Sequence, residues 1–169
     1  MNGAQPGAIA FTDIVGFTEF TAEHGDAGAL AVLDLQERLV RDALPPEARV
    51  VKELGDGLML WFPDAAAGLA ACLDLHERLD AEASEDMPLW VRIGMHWGCP
   101  TPRGDDLIGN DVNLAARIVD MAGPGELLVS EHVRAQIADG RGDVQFEELG
   151  PVVMKGIPEP VGLFRAARL

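Results

Sequence analysis

Asp13 follows a short apolar run, Ala8-Ile9-Ala10-Phe11, and Asp56 sits between glycines in Gly55-Asp56-Gly57. Two carboxylates with no His or Cys cluster around them have the chemistry of a hard divalent cation site, because Mg²⁺ takes oxygen ligands and joins one or two Asp residues to substrate phosphates. Asp is also favoured at strand ends and turns for backbone hydrogen bonding alone, so the pair needs company to count as a site. Gly16-Phe17-Thr18-Glu19 opens a predicted helix beside Asp13. The unpaired amides of a first helical turn, and the helix dipole, favour an anion such as a phosphate chain, with Phe17 and Thr18 as candidate contacts. Further on, Asn113 and Arg117 stand four apart in a helical segment and share a face. Arg117 is a fixed cation suited to a phosphoryl group, and Asn113 is an amide able to orient a ribose oxygen. The histidines His24, His76, His96 and His132 are scattered, and His96 with Cys99 falls short of the roughly four ligands of a zinc site.

The elements that must hold these residues follow from periodicity. Residues 8–11 read as a buried strand ending at Thr12-Asp13, and a helix begins near Gly16. Leu30, Leu33, Leu35, Leu39 and Val40 recur at helical spacing over residues 26–44, ended by Pro45-Pro46. Residues 49–53 and 58–62 flank the glycine turn as a hairpin with Asp56 at its tip. A helix over 64–79, a strand over 89–97, a helix over 110–121, an extended stretch over 126–130, a helix over 131–138 and strands over 144–149 and 161–166 complete the order. Residues 33–39 and 73–79 nearly match, which reads as two similar amphipathic helices rather than an internal repeat. Alternation interrupted by a hairpin predicts an α+β fold, a mixed sheet with helices packed on one face. Residues 1–7 are expected to form an N-terminal tail and residues 8–169 a single domain.

The composition of the 169 residues narrows the classes of function. Thirteen Lys and Arg against 28 Asp and Glu leave a net charge of −15. That excess repels a nucleic-acid backbone and disfavours anionic membrane surfaces. No apolar run approaches the roughly 18 residues needed to cross a bilayer, and the first residues lack a secretory pattern, so a cytoplasmic protein is expected. Cys72 and Cys99 read as reduced thiols, Cys72 within a helical core pattern.

Three strings, Phe11-Thr12-Asp13-Ile14-Val15-Gly16-Phe17-Thr18, Lys52-Glu53-Leu54-Gly55-Asp56-Gly57 and Gly109-Asn110-Asp111-Val112-Asn113-Leu114-Ala115-Ala116-Arg117, resemble the catalytic domain of class III adenylate and guanylate cyclases, in that family's order and separation. The closing Met154-Lys155-Gly156-Ile157-Pro158-Glu159-Pro160 is similar too, so the resemblance covers residues 8–168. It implies a ferredoxin-like βαββαβ core with additional elements. It also implies a head-to-tail homodimer with two shared active sites, and conversion of ATP to 3′,5′-cyclic AMP and pyrophosphate in cyclic nucleotide signalling. By position, Asp13, Asp56 and the backbone carbonyl of Ile14 would hold two Mg²⁺ or Mn²⁺ ions, Arg117 would neutralise the α-phosphate, Asn113 would hold the ribose and Lys155 would meet the terminal phosphates.

Base choice also follows from the resemblance. Adenine-specific members carry Lys three residues before the Gly-Asp pair and Asp seven residues before the ribose Asn, and here those positions hold Lys52 and Asp106, the latter preceded by a second candidate, Asp105. An ammonium donates to adenine N1 and a carboxylate accepts from the 6-amino group, a pattern that guanine reverses. The rival readings are a guanylate cyclase and a catalytically weak cyclase-like domain that binds nucleotide or a partner. The Gly-Gly-Asp-Glu-Phe string of a dinucleotide cyclase is absent.

Overall fold

In the computed structural model, which describes residues 4–84, 90–137 and 142–169, the chain opens with strand β1 (Gly7–Ile14), one residue inside the expected tail. Helix α1 (Phe17–Ala43) is longer than periodicity indicated, because the short helix near Gly16 and the amphipathic helix after it are joined across a bend at Gly25. The hairpin β2 (Arg49–Leu54) and β3 (Gly57–Phe62) follows, then α2 (Ala65–Glu82), capped by the Asp64 carboxylate accepting from the amide of Ala67, and β4 (Val91–Gly98). These six elements form the ferredoxin-like unit, with β2, β3, β1 and β4 adjacent in that order and each pair antiparallel. The expected start of the fourth strand at Leu89 and the end of the fourth helix at Ala138 lie outside the described residues.

The second half extends the sheet. α3 (Asn110–Met121) leads to β7 (Leu127–Ser130), which runs parallel to β4 and makes the sheet mixed. The short α4 (Glu131–Gln136) then precedes β8 (Val144–Val152) and β9 (Val161–Arg168), and β9 sits between β7 and β8. Before α3 a small separate hairpin, β5 (Thr101–Arg103) with β6 (Asp106–Ile108), occupies a stretch that the sequence presents as a loop. Three-residue strands carry too little alternation to be seen in a sequence.

Strand alternation divides the core in two. Ala8, Ala10 and Ile14 of β1 face α1, α2 and α4 within the main apolar cluster, so these three helices share one face of the sheet. Ile9 and Phe11 point the other way and join Met59, Leu107, Ala115 and Val119, which seats α3 and the β5–β6 hairpin against the centre of the sheet. Gly94 makes this close seating possible: a Cβ there would come within 2.3 Å of the amide nitrogen of Val119. No helix among the described residues is long and apolar enough to cross a membrane.

Candidate active site

Asp13 and Asp56 reach one place from different elements. Asp13 is the next-to-last residue of β1, and Asp56 lies in the β2–β3 turn that folds over that strand. Gly57 lets the turn come so near, since a Cβ there would stand 2.0 Å from the Thr12 carbonyl oxygen. Below the turn, the buried Thr12 hydroxyl accepts from the Leu58 amide at 3.0 Å. Buried Gln36 of α1 donates to the Asp56 carbonyl at 3.1 Å and accepts from Thr12 at 3.5 Å. The tip is therefore tied to β1 and to α1 through buried polar contacts that cost stability if left unpaired.

The two carboxylates open on a cleft of about 320 Å³, lined also by Ile14, Val15, Gly16, Phe17, Thr18 and Arg92. Gly16 provides no side-chain cap for α1, so the helix start meets the cleft without a capping group of its own. Burial, reinforced by a hydrogen bond with Asp13 and by its negative charge, raises the Asp56 carboxyl to about 7, against a smaller opposing pull from Arg92. Arg92 of β4 stands opposite Asp13 in the ladder and donates to one Asp13 oxygen from Nε at 2.8 Å and from Nη2 at 2.5 Å. The sequence reading missed Arg92, and its only signal there is a charge inside an otherwise apolar strand.

Two carboxylates close enough to share a proton, facing an open cleft, suit a cation that takes oxygen ligands and keeps several places for water or phosphate. No group of three or more His, Cys, Asp or Glu able to hold a metal occurs among the described residues. The donor set thus fits Mg²⁺ or Mn²⁺ bound together with a polyanion better than a closed protein cage.

Lys52 and Asp106 form a second, separate constellation. Lys52 Nζ donates to Asp106 Oδ2 at 3.0 Å, each side chain being a little over one-third exposed. The Lys52 bond, with the Leu107 amide, holds the Asp106 carboxyl below the usual carboxylate range. Of the two adjacent acids it is Asp106 that pairs with Lys52, while Asp105 offers its carbonyl oxygen to Arg49. The β5–β6 hairpin decides this, because Asp106 begins β6. Asn113 and Arg117 stand on the exposed side of α3, and Lys155 is exposed in the segment before β9; none of the three lines the cleft of Asp13 and Asp56.

Comparison with known proteins gives the family and the fold. The family model described as adenylate and guanylate cyclase catalytic domain matches residues 2–164. The chain is 35 % identical over 174 residues to the pH-sensitive adenylate cyclase MT1302 of Mycobacterium tuberculosis, covering 98 % of this chain and 42 % of that protein. It is 32 % identical over 122 residues to an adenylate cyclase of Streptomyces griseus, covering 72 % of this chain and 30 % of the relative. It therefore spans well under half the length of these relatives. Among solved structures, the adenylate/guanylate cyclase/hydrolase of Silicibacter pomeroyi superposes with a TM-score of 0.78 at 25 % identity, covering 97 % of both chains. A Trypanosoma brucei adenylate cyclase in its monomeric state shares the fold, with a TM-score of 0.82 at 23 % identity over 95 % of this chain and 89 % of that one. With the family model spanning nearly all of its length and the carboxylate pair standing at the mouth of one cleft, the chain belongs to the adenylate and guanylate cyclase catalytic domain family.

Proposed function

We propose that residues 8–169 act as one adenylate cyclase catalytic domain that converts ATP to 3′,5′-cyclic AMP and pyrophosphate as a head-to-tail homodimer with two shared sites. The observation that carries this reading is the meeting of Asp13 and Asp56 in one cleft beside the uncapped start of α1. Asp13, Asp56 and the Ile14 carbonyl would hold two Mg²⁺ or Mn²⁺ ions. The chemistry supplied by bound ions is a lowered pKa for the ribose 3′-hydroxyl and neutralised phosphate charge.

The chain's own residues do the rest. Arg92 holds the Asp13 carboxylate in place by a charge-assisted bond and sets positive charge in the cleft. Phe17, Thr18 and their neighbours at the start of α1 receive the phosphate chain. Lys52 and Asp106 read the adenine edge, and their 3.0 Å contact puts a donor next to an acceptor, as N1 and the 6-amino group require. Asn113 orients the ribose, Arg117 offsets charge that grows on the α-phosphate, and Lys155 meets the terminal phosphates. The acceleration comes mostly from positioning and electrostatics. Asn113 and Arg117 are exposed and do not line their own chain's cleft, and this supports a site completed by a second copy.

The test is product identification after incubation with ATP or GTP under Mg²⁺ and under Mn²⁺. Cyclic AMP from ATP is expected. Asp13→Ala and Asp56→Ala chains with unchanged circular dichroism should form none, and substantial turnover by either under Mn²⁺ would refute the two-carboxylate assignment.

A further inference from the structure

We propose that His96, as a neutral imidazole carrying its proton on Nε2, is a positioning residue that fixes the first turn of α3 through Asp111 and so sets where Asn113 and Arg117 stand. This rests on the reading of α3 as the helix that supplies those two residues to the reaction.

Three contacts carry the inference. His96 Nε2 lies 2.9 Å from Asp111 Oδ1, and Nδ1 lies 2.8 Å from the Ser130 hydroxyl. The second oxygen of Asp111 accepts from the Cys99 amide at 2.8 Å. A carboxylate only accepts, so Nε2 must donate, and Nδ1 is then left to accept the Ser130 proton. The Ser130 oxygen in turn takes the Val133 amide at the start of α4. Every donor in the chain from α4 to α3 thus has one direction. Ser130 is 0 % and His96 1 % exposed, so water does not substitute for the contact between them.

The network matters because of where it ends. Gly109 gives α3 no side-chain cap, and its buried apolar residues, Leu114, Ala115, Ile118 and Val119, lie beyond the first turn, where the partly buried Val112 packs on the sheet. Apolar contacts are not directional and tolerate a small slide. Asp111 supplies the fixed point: it presses so closely on β4 that a Cβ on Gly98 would meet its Cγ at 2.2 Å. Asn113 and Arg117 follow two and six residues later on the same rigid helix. The titratable groups facing His96 are Asp111 from α3 and His132 from α4, the latter edge-on at 5.1 Å between ring centroids. Burial keeps the His96 pKa below its ordinary value, against the pull of Asp111, in accord with a neutral ring.

Two measurements test this on the full chain. The first needs no activity. Nitrogen-15 spectra of the histidine rings, assigned with His96→Gln, should show His96 as the Nε2–H tautomer, still neutral where an exposed imidazole titrates, near pH 6.5. Asp111→Ala, a change at a half-exposed site, should shift the Asn113 and Arg117 amide resonances. An Nδ1–H ring, ordinary titration or unmoved amides overturns the proposal.

The second measurement is kinetic. Asp111→Ala and His96→Leu should lower kcat by about 10- to 100-fold, as displacement of a catalytic helix by a fraction of an ångström to about 1 Å does. KM for ATP and half-saturation by Mn²⁺ should move no more than about threefold. In mixed dimers, Asp111→Ala should be rescued by an Asp13→Ala chain and not by an Arg117→Ala chain, a pattern that general destabilisation does not produce. Folded variants that keep kcat within about twofold of an active parent overturn the positioning role. A parent that forms no cyclic nucleotide instead sinks the cyclase reading, and the ring and amide spectra still decide the role of His96.

Discussion

Single residues set the proposed selectivity. Lys52 and Asp106 come from β2 and β6, 54 residues apart, and meet through a 3.0 Å ion pair that presents a donor beside an acceptor. Exchanging them for an acceptor and a weak donor removes the match to adenine. Lys52→Glu with Asp106→Cys is expected to lower the ratio of kcat/KM for ATP over GTP by about tenfold or more, since a site built to hydrogen-bond one base edge rejects the edge that mispairs with it. An unchanged ratio in steady-state assays with both nucleotides would show that another contact reads the base. Residue types also reveal how far the site could be seen beforehand. Asp13 and Asp56 stand out because of the glycines and apolar runs around them. Arg92 did not, since a lone charge in a strand has many uses and only the cross-strand register places it opposite Asp13.

At the scale of elements, α1 supports the turn that carries Asp56. Gln36 is a buried amide on an otherwise apolar helix face, and its donation to the Asp56 carbonyl joins helix to hairpin. Gln36→Met keeps the volume and removes both bonds, so the Asp56 carbonyl and the Thr12 hydroxyl lose a partner. The expected cost is about 1–3 kcal/mol in urea unfolding, accompanied by a higher Mn²⁺ concentration for half-maximal activity. Stability that falls while the metal requirement stays fixed would confine Gln36 to a packing role. Helix periodicity shows which face of α1 is apolar, yet one polar residue on that face has no visible partner in sequence. That partner is 20 residues away across a turn. The β5–β6 hairpin escaped for a related reason, because its strands are too short to alternate and are held by pairing with each other.

The whole molecule responds to pH and to association. Burial lowers the pKa of His76, which contacts the Val91 carbonyl at 3.1 Å, and also that of His96. The unfolded chain takes up these protons near pH 6.5 while the folded chain refuses them, so both groups remove stability as pH falls below that value. Asp56 has the opposite sign, because its raised pKa of about 7 lets the folded chain bind a proton that the unfolded carboxylate releases above about 4. His76→Gln isolates one contribution: between pH 7.5 and 5.5 it should lose less urea-unfolding stability than the parent, and equal losses would remove His76 from the account. Association is tested by mixing. Asp13→Ala and Arg117→Ala chains, each inactive alone, should regain activity together, since one site of the mixed dimer contains neither change. Demonstrated mixed dimers that stay inactive would count against shared sites.

The net charge of −15 fits the same picture at this scale. It opposes broad capture of a polyanion, and three of the 28 acidic side chains, Asp13, Glu19 and Asp56, line the cleft where cations would offset that repulsion.

What the sequence determined by itself is the local part: the hairpin with Asp56 at its tip, the helix of Asn113 and Arg117, the α+β order and the family resemblance. Each depends on neighbours within a few residues, where periodicity, turn chemistry and motif spacing act. The tertiary structure alone decided that Arg92 pairs with Asp13, that Gln36 holds the Asp56 turn, and that Ser130, His96 and Asp111 form one line to α3. These partners lie between 15 and 79 residues apart. Their choice follows from strand register and from the need to pair every buried polar group, and both are settled only when distant segments pack together.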